Sequence, residues 1–164
     1  MSAVTAYIGL GSNLADPKAQ VHAGIDALRR LPQTAVEHCS SLYASAPVGI
    51  TAQPDFVNAA CRVRTVLSAR ALMQTLLAIE HEHGRVRGAE KGGPRTLDLD
   101  LLLYGDSLVN EPDLVVPHPR LHERAFVLYP LQELDAGLIV PGRGAVADLL
   151  AGSGGQRVVR LEGC

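Results

Sequence analysis

An α+β fold is predicted for this chain, with a mostly antiparallel sheet, helices packed on it and an extra layer from the C-terminal third. Three observations predict it. Residues 3–104 read in the order strand, helix, strand, strand, helix, strand. The composition, 47% hydrophobic and 20% charged, can support a core. The length, 164 residues, suits one domain over 1–164.

The first strand, residues 3–10, is β-branched and aromatic and stops at the turn-forming cluster Gly11-Ser12-Asn13. Val21, Ile25, Leu28 and Leu31 then recur at helical spacing over 18–31, with Asp16-Pro17 as the start signal and Pro32 as the stop. Residues 36–43 and 56–67 read as two strands, the second alternating Val57, Ala59, Cys61 and Val63 on one side. The stretch between them carries Pro47, Gly49 and Pro54, and its length points to binding rather than simple connection. A second helix is expected over 68–83, with Ser68 as N-cap, a stripe of Leu72, Leu76 and Ile79, and Gly84 ending it. Four glycines and Pro94 exclude regular structure from 84–95, and a buried strand follows over 97–104. Beyond it come a short strand at 114–116, a helix at 123–134, a loose linker at 151–155 and a last strand at 158–161. The leading six elements have the order of a ferredoxin-like split βαβ core.

Charge and cysteines narrow the function classes. The net charge of −2 leaves no chain-wide footprint for a nucleic-acid backbone. Cys39, Cys61 and Cys164 form neither an even disulfide framework nor a C-x-x-C pair, so a reducing, cytoplasmic setting and no structural zinc are expected. No apolar run is long enough for a membrane helix, and the N-terminus lacks the basic region of a leader. Walker A, kinase, nucleophile-elbow and H-E-x-x-H patterns are absent, and Gly9-Leu10-Gly11 lacks the third glycine of a dinucleotide fingerprint. Ser12 and Ser41 therefore have no support as nucleophiles, and His81-Glu82-His83 reads as helix surface.

The chemistry concentrates around Asp98-Leu99-Asp100. In a strand the two carboxylates leave one face, about 6.8 Å apart along the backbone, while Leu97, Leu99 and Leu101 face the other way. Such a pair repels and is desolvated unless a cation compensates it, and Mg²⁺ commonly takes one or two carboxylates with substrate phosphates. The alternative is an exposed strand face paired to neighbouring cations. Residues 85–95 carry Arg85, Arg87, Lys91 and Arg95 against Glu90, a local +3 where the rest of the chain sums to −5. A glycine-rich cationic loop beside a metal site suits a triphosphate, and a solvated surface loop is the alternative. His118 and Arg124 form a second basic cluster before an apolar helix.

Five stretches together resemble the 6-hydroxymethyl-7,8-dihydropterin pyrophosphokinase family: Ala6 to Leu14 (AYIGLGSNL), Gln53 to Asn58 (QPDFVN), Gly84 to Arg87 (GRVR), Gly93 to Asp100 (GPRTLDLD), and Pro117-His118 with Arg124-Ala125-Phe126. They span about the first 130 residues in the family's order, and the run from Lys91 to Asp100 is its signature region. The resemblance implies transfer of pyrophosphate from ATP to a pterin alcohol in folate biosynthesis, with AMP released. It implies that Asp98 and Asp100 hold two Mg²⁺ ions and that Arg85 and Arg95 contact the phosphates and act in transfer. Arg87, His118 and Arg124 would help bind ATP, and Glu80 matches a position near that site, with a helix-surface charge as the alternative. The pterin would lie between Phe56 and Phe126, with Asn58 and the backbone near Ser45, Ala46 and Val48 reading its edge. Gly88, Gly92 and Pro119 stand where family members often have lysine, tryptophan and tyrosine. The partners expected are these two small molecules, with no nucleic acid, no membrane and a monomeric chain. Two rivals are an Mg²⁺-dependent nucleotidyltransferase, which would release pyrophosphate, and a non-catalytic ferredoxin-like module binding nucleic acid through 85–95. Only four tyrosines and two phenylalanines speak against the latter.

Overall fold

Asp16 and Ser68 begin the two helices that back the sheet. Asp16 accepts from the Ala19 amide at 3.4 Å, with Pro17 placed where no amide proton is needed, and Ser68 accepts from the Ala71 amide at 3.1 Å. The computed structural model describes residues 2–14, 16–46, 54–83 and 96–163. Its first half runs β1 (Val4–Ser12), α1 (Pro17–Arg29), β2 (Thr34–Cys39), β3 (Tyr43–Ser45), β4 (Phe56–Thr65), α2 (Ala69–Glu82) and β5 (Asp98–Tyr104). There follow β6 (Val109–Glu111), β7 (Leu114–Val116), α3 (Ala125–Leu134), β8 (Ile139–Val140), β9 (Gly144–Ala145), α4 (Val146–Ala151) and β10 (Val158–Arg160).

The main sheet has the order β10-β3-β4-β1-β5, and β2 pairs the far half of β4. Every pairing in it is antiparallel. Each strand-helix-strand unit is split by a strand from the other, which is the expected ferredoxin-like arrangement. Ala6, Ile8 and Leu10 of β1, Val57 to Val63 of β4 at alternate positions, and Leu97, Leu99 and Leu101 join Ile25, Leu28, Leu72 and Leu76 of the helices in one buried cluster. The period-2 and helical patterns of the sequence therefore meet on one face.

The C-terminal layer lies on the opposite face. Leu128 and Leu131 of α3 pack with Tyr7, Ala60, Leu102 and Leu103. A bulge makes this possible: Tyr7 pairs Leu103 and Ile8 pairs Leu101, so Leu102 is extra and the strand changes face there. The three consecutive leucines of β5 thus serve two cores. α3 covers the Tyr7, Ala60 and Leu102 end of its face and leaves the Gly9, Gly11 and Asp98 end for other use.

Several boundaries differ from the sequence expectation. The strand expected over 36–43 is two strands, because the Ser40 hydroxyl takes the place of its carbonyl in the ladder, while its amide still donates to the Ala60 carbonyl at 2.8 Å, and Ser41 turns away from β4. The Ser40 hydroxyl accepts from the Ala60 amide at 2.9 Å, and the Ser41 amide donates to both carboxylate oxygens of Glu133 at 3.0 and 2.9 Å. β1 runs on to Ser12, since Gly11 is flanked by Asn58 on one side and Asp98 on the other. The helix expected from 123 starts at Ala125 behind a 3₁₀ turn, Leu121–Glu123. β6, β8, β9 and α4 were not expected; at two to six residues each they are too short to show a period. Cys39 and Cys61, which spacing does not pair, sit opposite one another on β2 and β4 with sulfurs 2.7 Å apart and no disulfide between them. Among the described residues no helix is long and apolar enough to cross a membrane.

Glu133 ties the C-terminal layer to the sheet. Besides the Ser41 amide, it accepts from the Ser41 hydroxyl at 3.0 Å and from the Tyr43 hydroxyl at 2.6 Å. Burial works to raise its pKa, but the hydrogen bonds from Tyr43 and Ser41 outweigh it and hold the carboxyl below its ordinary value. Burial and the Glu133 bond push the Tyr43 phenol upward. A depressed carboxyl contributes stability that is full above the unfolded pKa, about 4.3, and lost as pH falls through the lower folded value. Glu133→Gln is expected to cost about 1–3 kcal/mol at neutral pH and to flatten the acid limb of a urea-stability profile below about pH 4.3. An acid limb identical to the parent's would refute this role.

Candidate active site

Four strands set out the site side by side. On the face away from α1 and α2, β3 presents Tyr43 and Ser45, β4 presents Phe56 and Asn58, β1 presents Gly9 and Gly11, and β5 presents Asp98 and Asp100. The register fixes their rows: Tyr43, Asn58, Gly11 and Asp98 lie across neighbouring strands, as do Ala60, Gly9 and Asp100. Neighbouring strands are about 4.8 Å apart, so β4 and β5 stand about 10 Å apart across β1. Gly9 and Gly11 raise no side chain between the aromatic-amide wall and the carboxylate wall, so β1 forms a backbone-floored trough there, with Gly9 partly exposed and Gly11 buried. A Cβ on Gly11 would stand 3.2 Å from Asn58 Oδ1, and one on Gly9 would stand 3.3 Å from Leu102 Cδ1.

The carboxylate wall is braced from behind. Glu80 is 1% exposed, not a surface charge, and its Oε2 accepts from the Leu99 amide at 2.6 Å. It therefore grips the edge strand between Asp98 and Asp100. Three residues on, the Leu102 carbonyl accepts from the His118 amide at 3.0 Å, which covers the same edge and brings the second basic cluster alongside. Burial lowers the His118 pKa, the Asp100 charge opposes that, and Arg124 and Arg120 add to it. Asp100 likewise acts on Arg124, whose guanidinium carbon lies 5.6 Å from the Phe126 ring centroid. Asp100, His118, Arg124 and Phe126 are thus one group at the β5 end of the trough.

On the other wall, Asn58 donates to Ser45 Oγ at 2.7 Å and Ser45 is buried. Phe56 is half-buried and flanks Gly11. Ala46 is exposed beyond the end of β3. Asn13 at the end of β1 donates to the Pro54 carbonyl at 3.1 Å, tying the entry of β4 to the same corner. Ser12 is wholly buried at the end of β1. Val48, Arg85, Arg87 and Arg95 lie outside the described residues.

Two half-buried carboxylates on one strand face suit a hard cation that shares them with a ligand's oxygens. Among the described residues no three His, Cys, Asp or Glu side chains converge as a metal cluster. That donor set fits Mg²⁺, which takes few protein ligands and keeps positions for phosphates and water, and does not suit a closed zinc site. Sequence reasoning identified the carboxylates but not the gap beside them. The paired glycines were legible only as an incomplete dinucleotide fingerprint, because their use depends on which strands flank β1.

Residues 7–136 match the family model described as 7,8-dihydro-6-hydroxymethylpterin-pyrophosphokinase. The chain is 46% identical over 157 residues to the 2-amino-4-hydroxy-6-hydroxymethyldihydropteridine pyrophosphokinase of Pseudomonas aeruginosa, covering 96% of each chain. It is 41% identical over 159 residues to that of Haemophilus influenzae, covering 97% of this chain and 99% of the relative. Among solved structures, HPPK-DHPS in complex with substrates superposes with a TM-score of 0.71 at 10% identity, over 93% of this chain and 43% of that chain. At that identity the superposition shows the fold, and the chain spans less than half of the superposed protein.

Proposed function

Because the chain belongs to the 7,8-dihydro-6-hydroxymethylpterin-pyrophosphokinase family, we propose that it transfers the pyrophosphoryl group of ATP to 6-hydroxymethyl-7,8-dihydropterin, in folate biosynthesis. The hydroxymethyl oxygen attacks the β-phosphorus, the bond from that phosphorus to the α-phosphate oxygen breaks, AMP leaves, and the hydroxyl proton is released to solvent. The observation that carries this reading is the trough itself: an amide-aromatic wall on β4 faces a carboxylate pair on β5 across two residues without side chains. A flat bicyclic ring with a one-carbon arm, held on the first wall, directs its alcohol toward phosphates held at the second.

Phe56 and Phe126 are assigned to the faces of the pterin, and Asn58 with the backbone of Ser45, Ala46 and Val48 to its hydrogen-bonding edge. Asp98 and Asp100 would hold two Mg²⁺ ions, whose contribution when bound is to neutralise the triphosphate and align it for in-line displacement. His118 and Arg124 are assigned to the phosphates, their proximity to Asp100 supporting this. Arg85, Arg87 and Arg95 take the remaining phosphate contacts, with Arg85 and Arg95 acting in transfer. Glu80 contributes to ATP binding through the Leu99 amide, by fixing the strand that carries both carboxylates. Catalysis then consists of positioning and charge compensation rather than covalent chemistry. One domain over 1–164, acting as a cytoplasmic monomer, completes the reading.

Product analysis after incubation with ATP, Mg²⁺ and the pterin tests it, with Asp98→Ala as the contamination control. AMP and a diphosphorylated pterin are expected. ADP would mean ordinary phosphoryl transfer, and released pyrophosphate would mean a nucleotidyltransferase. Absence of turnover together with salt-dependent RNA binding would mean a nucleic-acid module.

A further inference from the structure

Asn58 is 4% exposed in the middle of β4, and a buried primary amide must place two donors and an oxygen acceptor. Its nitrogen end is engaged on one side only: Nδ2 donates to Ser45 Oγ at 2.7 Å and to the Tyr43 carbonyl at 3.5 Å, both on β3. Its oxygen end lies over β1, directly opposite Gly11 in the register. A Cβ at that position would press on Oδ1 from 3.2 Å, closer than side chains ordinarily pack. The amide is thus pinned by a hydroxyl on one strand and given room by a missing side chain on the next. Its acceptor end is the one left toward the trough, and the Ser45 hydroxyl, having accepted from Nδ2, keeps its own proton to donate.

We propose that Ser45 and Gly11 are positioning residues that set the orientation of the Asn58 amide, and through it the affinity for the pterin. This inference rests on the proposed reaction and deepens it. A pterin presents adjacent ring N–H and amino donors beside a carbonyl oxygen, so the direction of a single amide decides whether the contact attracts or repels. Turning Asn58 over would set its NH₂ group against those donors. Removing the Ser45 hydroxyl leaves only the long bond to the Tyr43 carbonyl to prevent that. Adding a methyl at Gly11 displaces Oδ1 directly. The Ser45–Asn58 bond lies on the β3 and β4 side of the trough, with β1 between it and the carboxylates of β5.

Ser45→Ala and Gly11→Ala are each expected to raise the KM for the pterin about tenfold, a loss of about 1.4 kcal/mol. ATP affinity of Ser45→Ala, measured by titration calorimetry without the pterin, is expected to stay at the parental value. Ser45→Thr keeps the hydroxyl and is expected to restore the KM. In an Asn58→Ala background the two substitutions are expected to add nothing further, because they act through that amide. An unchanged KM in Ser45→Ala overturns the proposal, as does an equal additional loss in the Asn58→Ala background. A fall in kcat and ATP affinity together, unrescued by threonine, also overturns it by showing a general structural role. Failure of the underlying reaction is separately visible as absence of AMP from the parent enzyme. Hydrogen exchange of the Asn58 side-chain amide reads the same interaction without turnover: slow exchange in the parent and fast exchange in Ser45→Ala are expected, and equal rates overturn the proposal.

Discussion

Asp98→Ala and Asp100→Ala are each expected to lower Mg²⁺-dependent AMP formation by at least about 10²–10³-fold, the scale on which loss of one preorganised electrostatic group acts at a reacting centre. The fold is expected to survive both changes. Each side chain is half-buried on the trough side of β5, whereas the packing of that strand is carried by Leu97, Leu99 and Leu101 on the reverse face and by Leu102 and Leu103 past the bulge. Removing one of two neighbouring carboxylates also relieves repulsion in the free protein. The two measurements are steady-state AMP release against Mg²⁺ concentration and thermal unfolding with and without Mg²⁺ and ATP. Stabilisation by the ligands should shrink in both variants while ligand-free unfolding stays near the parent's. Parental activity with parental Mg²⁺ dependence in either variant would remove that carboxylate from the metal assignment.

Glu80→Ala is expected to have the next largest effect, and on two observables at once. Its carboxylate receives the Leu99 amide at 2.6 Å in a place 1% exposed, so truncation leaves a buried donor unpaired at a cost of about 1–3 kcal/mol. Because Leu99 stands between the two carboxylates, the released strand edge also loses the spacing that serves the triphosphate. Turnover should fall about tenfold or more, with the KM for ATP rising more than that for the pterin, whose wall is on β4. Glu80→Gln keeps an oxygen acceptor and should recover most of the stability. Urea unfolding and two-substrate kinetics on both variants decide the matter. If Glu80→Ala loses stability yet keeps parental kinetics, the bond is structural and no part of the site.

Much of this arrangement is legible along the chain because its causes are local. The alternation of Asp98 and Asp100 with Leu97, Leu99 and Leu101 announces a strand with one dry and one polar face, and that strand is present. Ser68 and the Leu72, Leu76 and Ile79 stripe announce a capped amphipathic helix, which is α2. Ser41 gives no such signal: its amide leaves the sheet for Glu133, 92 residues on, and local propensity does not contain that partner. Glu80 is similar, a glutamate near a helix end that reads as solvated surface until β5 is laid against it.

By itself the sequence determined which residues could do the chemistry: a carboxylate pair on a strand, a cationic glycine-rich stretch, and an asparagine and two phenylalanines in segments that resemble one family. Only the tertiary structure decided how they cooperate. Placing β1 between β4 and β5 turns Gly9 and Gly11 from an incomplete motif into the floor of a trough, and the bulge at Leu102 turns one apolar run into the support of two layers. The physical reason is that side-chain type and spacing are properties of one segment. A gap, a buried bond to an edge amide or a held rotamer is a property of two or three segments in register, and their register is set by the packing of the whole sheet.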